Sequence, residues 1–212
     1  MIKEKIVDII LQLKNSISSG ILALVVIKAL REKYSQSKET KEDIFISSLF
    51  IGSYNTMILC LSNFIKPNNG SINSKYLFNC IKENNPGLES SEYSSLLVLI
   101  EEFETALAAL NTTLDAVITI RDTTIAHLDK RHVNNPNALL VSNNPLWDDL
   151  SNAYNLVGSG LDEIGKYFGL VPILDFITLA NLELAGKTKM VFDIIYSTHS
   201  AEIPARTENK II

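Results

Sequence analysis

Apolar residues at Ile2, Ile6, Ile9, Ile10, Leu13, Ile17, Ile21, Leu24 and Ile27 recur at three- and four-residue steps, the spacing of one stripe along an α-helix. The pattern predicts a first helix from the N-terminus to about residue 34, with Gly20 and its neighbouring serines as the place for a kink. A second apolar stretch, 44–65, has no charge and carries many small or hydroxyl residues (Ser47, Ser48, Gly52, Ser53, Thr56, Ser62), which suits a central helix packed on several sides. Pro67-Asn68-Asn69-Gly70 is a turn, after which Ser71 is the expected cap of a short helix ending near Lys82, terminated by Asn84-Asn85-Pro86-Gly87. From Ser90-Ser91-Glu92 the series Leu96, Ile100, Phe103, Leu107, Leu110, Leu114, Val117 and Ile118 predicts one long helix that reaches Ile120 and ends in Arg121.

An Asn- and Pro-rich loop follows His132. Pro145 and Asp148-Asp149 then announce a helix through Leu150, Tyr154, Val157, Leu161, Ile164 and Phe168, which Gly169 and Pro172 end. A last helix is expected over 173–196, with Trp147 anchoring the start of the preceding one in the core. No strand-period alternation of useful length interrupts this series. The expected architecture is all-α: a single helical domain over 1–200, built of about five principal helices, and a frayed tail over 201–212.

Composition narrows the partners. A chain of 212 residues with 46% apolar and 20% charged residues can bury a full core. Its net charge of −5 provides no overall basic field, so any RNA contact must rest on a local patch. Between Glu83 and Ile120 there are seven acids and no Lys or Arg, a solvated acidic face that RNA would avoid. Cys60 and Cys80 sit among apolar neighbours without metal-ligand spacing and read as buried thiols of a reducing compartment. The most apolar run, 20–29, is interrupted by Lys28 and falls short of the ~20 residues a bilayer needs. The expectation is a soluble cytoplasmic protein with no membrane contact and no metal or other cofactor.

The chemistry-bearing stretch is Arg121-Asp122-Thr123-Thr124-Ile125-Ala126-His127. Histidine titrates nearest physiological pH, and arginine is a permanent cation whose planar fork suits phosphate oxygens. The two are six positions apart, which on an ideal helix means ~9 Å of rise and ~120° of rotation, so they do not converge on one straight helix. Fraying near His127, a folded-back Arg121 arm, or pairing with a second copy across a two-fold axis would bring them together. Asp122 opposes the dipole at a helix C-terminus. It is expected either to accept a hydrogen bond from His127 or Arg121 and orient them, or to pair with a solvent-facing lysine.

This motif resembles the arginine, polar residue, spacer, histidine signature of HEPN domains, which are all-α modules. Leu128-Asp129-Lys130-Arg131-His132 and Asn135-Pro136, with the upstream Ser62-Asn63-Phe64-Ile65-Lys66-Pro67, are similar more narrowly to the AbiU-type abortive-infection branch. The resemblance covers about 41–164 and implies a metal-independent endoribonuclease in which two protomers combine their motifs, acting as a toxin or antiviral defence effector. It gives His127 the role of general acid or base and Arg121 that of stabilising charge on phosphorus. Asp122 orients the pair. An antitoxin or other regulatory partner protein is expected to hold such an enzyme in check. Lys130, Arg131 and His132 form a small basic cluster that contacts RNA phosphates or complements the preceding helix dipole.

A reading from another class is a non-catalytic helical module for dimerisation or for partner or nucleotide binding, in which Arg121 and His127 serve structure. Gly186-Lys187-Thr188 lacks the upstream glycine and strand of a phosphate-binding loop, and His199 has no partner carboxylate nearby; neither is assigned a role.

Overall fold

The computed structural model describes residues 2–34, 44–66, 72–122 and 147–173. Among them are six α-helices and no strand, in the order α1 (Ile2–Tyr34), α2 (Ile44–Ile65), α3 (Ser74–Glu83), α4 (Ser90–Ala109), α5 (Asn111–Ile120) and α6 (Trp147–Lys166). The protein is all-α, as the spacing of its apolar residues predicts. The helix expected over 173–196, the loop after His132 and the tail lie outside the described residues, as does the side chain of Trp147.

α1 is continuous over 33 residues, about 50 Å at 1.5 Å per residue. Its stripe Ile6, Ile9, Ile10, Leu13, Ile17, Ile21, Leu24 and Ile27 is buried, chiefly against α2 and then α6. The helix runs through Gly20, the expected place for a kink, without interruption. Gly20 instead clears space for the ring of Tyr154 on α6, whose hydroxyl donates to the Met57 carbonyl of α2 at 2.5 Å. One tyrosine thus ties three helices, and it can do so because α1 has no β-carbon at the crossing. Gly20→Ala sets helix propensity, a gain of about 1 kcal/mol, against overpacking on a buried ring, a cost of about 1–3 kcal/mol. Net destabilisation is expected in urea titration. A stabilised variant would remove the close approach from the account.

The long helix expected to end in Arg121 is divided at Leu110, which is a correction to the sequence reading. Leu110 (φ −95°, ψ 12°) leaves helical geometry and its N–H turns back to the Leu107 carbonyl at 3.1 Å. The apolar stripe runs on through Leu107 and Leu110 without a fault, so periodicity alone does not show the break. Its cause is tertiary: α4 packs on α6, whereas α5 packs on α2 as well as α6, and the chain bends to change partner. Asn111, Thr112 and Thr113, weak helix formers, make that bend cheap.

The short helix is capped by Asn73, not Ser71: the Asn73 side chain accepts from Tyr76 N–H at 2.9 Å, and Asn73 is buried. The Asn-Pro-Gly turn closes as expected. Asn85 Oδ1 accepts from the N–H groups of Gly87 and Leu88, both at 2.9 Å, and Gly87 takes φ 87°. Gly169 (φ 72°) ends the last described helix with the Leu170 N–H bonded back to the Gly165 carbonyl at 3.0 Å, a glycine C-terminal motif.

By length and apolarity alone, Ile2–Leu30 and Ser48–Ile65 suffice to cross a membrane, which the run 20–29 taken alone does not show. Half of the first window is buried inside the bundle. It also holds Lys14, which is 5% exposed and paired to Asp162, so this face of α1 is committed to protein contacts. Both cysteines are free thiols, Cys80 buried as expected and Cys60 only partly so; that partial burial pushes the Cys60 thiol up from its ordinary value.

Candidate functional site

α2 and α5 pack together, and their C-terminal ends come to one place. Lys66 follows the last residue of α2, and Arg121-Asp122 follow the last residue of α5. At 121–122 the backbone widens into a π-type turn, a feature that recurs at functional sites. Adjacent side chains on a regular helix do not face each other. Here they do: Arg121 donates from Nε at 2.8 Å and from Nη2 at 2.6 Å to one carboxylate oxygen of Asp122, Oδ1. The other oxygen, Oδ2, accepts from Lys66 Nζ at 2.7 Å.

Both partners expected as alternatives for Asp122 are therefore present, an arginine and a solvent-facing lysine. This explains a carboxylate at a helix C-terminus. The two helix ends each carry partial negative charge, and two cations settle there. The acid bridges the cations and offsets their mutual repulsion. The Lys66 ammonium holds the Asp122 carboxyl below its ordinary value of 3.8; burial opposes it, and the Arg121 guanidinium adds to the lowering. A carboxyl depressed in the folded state adds stability that is complete above its unfolded value and disappears as pH falls through the folded one. NMR titration of Asp122 should accordingly find its midpoint below the ordinary 3.8. Titration at or above that value would contradict the double bridge.

The three groups differ in exposure. The Arg121 side chain is 7% exposed, whereas those of Asp122 and Lys66 are 38% and 35% exposed. A permanent cation sits at the back of the cluster, and two charged groups meet the solvent in front of it. With two cations against one carboxylate the cluster is positive, on a chain whose net charge is −5. Away from it, Glu101 and Glu102 are exposed on α4 and Glu104 pairs with Lys82 of α3 at 2.6 Å, so the acidic face lies on the helix that precedes the site.

Of the residues the sequence singles out, Arg121 and Asp122 are brought together. His127, Lys130, Arg131 and His132 lie outside the described residues. Lys66 had not been assigned a role, although one signal pointed to it: it is the first charge after the uncharged stretch 44–65, and Asp122 needed a cation. Among the described residues no group of three or more His, Cys, Asp and Glu converges in the manner of a metal site. No family model matches the chain, and neither does any curated protein or solved structure.

Proposed function

We propose that this protein is a metal-independent endoribonuclease of HEPN type, a cytoplasmic toxin or antiviral (abortive-infection) effector whose site is completed in a homodimer. The observation that carries the reading is Arg121: a guanidinium nine-tenths buried at a widened helix end, oriented by an adjacent carboxylate, six positions before a histidine. Burial and a fixed fork are what a group needs if it is to stabilise developing charge on phosphorus without reorganising.

In this reaction His127 of one copy takes the proton of the ribose 2′-hydroxyl, and the freed oxygen attacks phosphorus. The P–O5′ bond breaks, and the leaving oxygen receives a proton from the corresponding histidine of the second copy. The products are a 2′,3′-cyclic phosphate and a 5′-hydroxyl, so atoms and charge balance with the RNA supplying its own nucleophile. Arg121 stabilises the phosphorane, and Asp122 orients Arg121 until the phosphate takes its place. Lys130, Arg131 and His132 hold flanking phosphates. An antitoxin or regulatory partner restrains the activity.

Expression of the wild-type chain should be toxic and degrade RNA to cyclic-phosphate ends, with His127→Ala relieving both. Purified wild-type protein that leaves total RNA as intact as the Arg121→Ala and His127→Ala variants do would end this reading.

One observation favours the alternative, a non-catalytic module for dimerisation or partner or nucleotide binding. The Arg121 fork is already bonded within its own chain, as a purely structural arginine would be. Thermal melts of the His127→Ala variant separate the two cases.

A further inference from the structure

We propose that Lys66 and Arg121 are the two cations of one phosphate seat, with Asp122 as its resting counter-ion, displaced when an RNA phosphate arrives. The identity of the anion rests on the ribonuclease reading; the seat itself rests on the geometry of the three side chains.

Asp122 spans the cluster, with one oxygen on each cation: Oδ1 on Arg121 at 2.6 and 2.8 Å and Oδ2 on Lys66 at 2.7 Å. A phosphodiester also offers two anionic oxygens about as far apart, so one can take the guanidinium donors and the other the ammonium. Asp122 therefore already shows where a phosphate's two oxygens fit. The carboxylate is also the group able to leave. It is 38% exposed, so it can move into water at little cost, whereas Arg121, 7% exposed, cannot follow it. Asp122 engages the Arg121 Nε and Nη2 groups, and among the described residues Nη1 has no acceptor.

Lys66 is the group an incoming strand meets first. Its side chain is 35% exposed, its ammonium is a mobile point charge on a flexible stem, and no acid other than Asp122 holds it among the described residues. Lys66 captures the phosphate, Asp122 gives way, and the phosphate passes to the buried Arg121. A ground-state counter-ion of this kind keeps an always-charged arginine compensated in its buried position until substrate replaces it.

The seat predicts effects of opposite sign from two residues in direct contact. RNA binding is read by fluorescence anisotropy of a labelled single-stranded oligonucleotide, in full-length protein carrying His127→Ala so that nothing is cut. Lys66→Ala should weaken binding by about three- to tenfold and lower the salt slope by about 0.7, the signature of one lost phosphate contact on a single strand. Lys66→Arg should restore both. Asp122→Asn should tighten binding by about threefold, because the competing charge is gone. A merely structural Lys66–Asp122 bridge predicts that both variants weaken binding together, and that result, or a neutral Lys66→Ala, overturns the seat.

Cleavage by the otherwise wild-type protein is followed in parallel. Cleavage that persists without Lys66 dependence in binding removes the seat and leaves the nuclease. Opposite-sign binding effects in a protein that never cuts keep the seat and remove the nuclease. Absence of both binding and cleavage removes the two together.

Discussion

Replacing Lys14 by alanine is expected to cost about 3–5 kcal/mol of folding stability, the usual penalty for breaking a buried ion pair by removing one partner. Lys14 Nζ lies 2.8 Å from Asp162 Oδ1, and both side chains are 6% exposed, so water screens neither charge. The ammonium also donates to the Val171 carbonyl at 2.6 Å, and the same Asp162 oxygen accepts from the Ile173 N–H at 2.7 Å. Gly165 leaves room for this approach; a β-carbon there would stand 3.3 Å from Nζ. The pair thus pins the chain beyond α6 onto the middle of α1. Without Lys14, Asp162 stays in the interior and loses its ammonium partner. The double variant Lys14→Met, Asp162→Asn keeps an acceptor for Ile173 and removes both charges, and it should recover most of the loss. Urea titration of the three variants measures this. A single-variant cost below about 1 kcal/mol would show that the pair is solvated and contributes little.

The Lys14–Asp162 pair is not legible in the sequence, and neither is which lysine reaches Asp122, for the same reason. Periodicity reports which face of a helix is apolar, and it located the α1 stripe from Ile6 to Ile27 because that face packs along its whole length. It says nothing about a charge inside the stripe. Lys14 stands beside Leu13 and interrupts no spacing, and its partner is 148 positions away (162 − 14) on another helix. The break at Leu110 was hidden because its cause is a change of packing partner and the apolar stripe continues across it. At Gly20 the sequence shows only a missing side chain, whereas the fold shows what fills the space: the ring of Tyr154. At the site, the motif residues Arg121 and Asp122 were legible from local spacing. The lysine that completes them comes from α2 and is visible only once α2 and α5 lie side by side.

Arg121 and His127 should both be needed for RNA cleavage, but only His127 can show whether the motif is an active site. Removing a proton-transfer group costs about 10²–10⁴-fold in rate, so His127→Ala is expected to leave cleavage in that range below wild type. Arg121→Ala should lose about 10²–10³-fold, the scale of one lost electrostatic stabiliser, and Arg121→Lys nearly as much, because an ammonium keeps the charge but not the fork. The double variant should be little worse than either single one, since groups acting in one step are not additive. Stability separates chemistry from architecture, and burial decides which residue to use. Arg121 is 6% exposed and bonded to Asp122, so its loss destabilises the fold whether or not it touches RNA. His127 carries the distinction: at an active site His127→Ala is neutral or stabilising in thermal melts while cleavage collapses, whereas a helix-end histidine of purely structural value loses several degrees with it. A His127→Ala protein that melts several degrees early and still cuts RNA would transfer the motif from catalysis to structure.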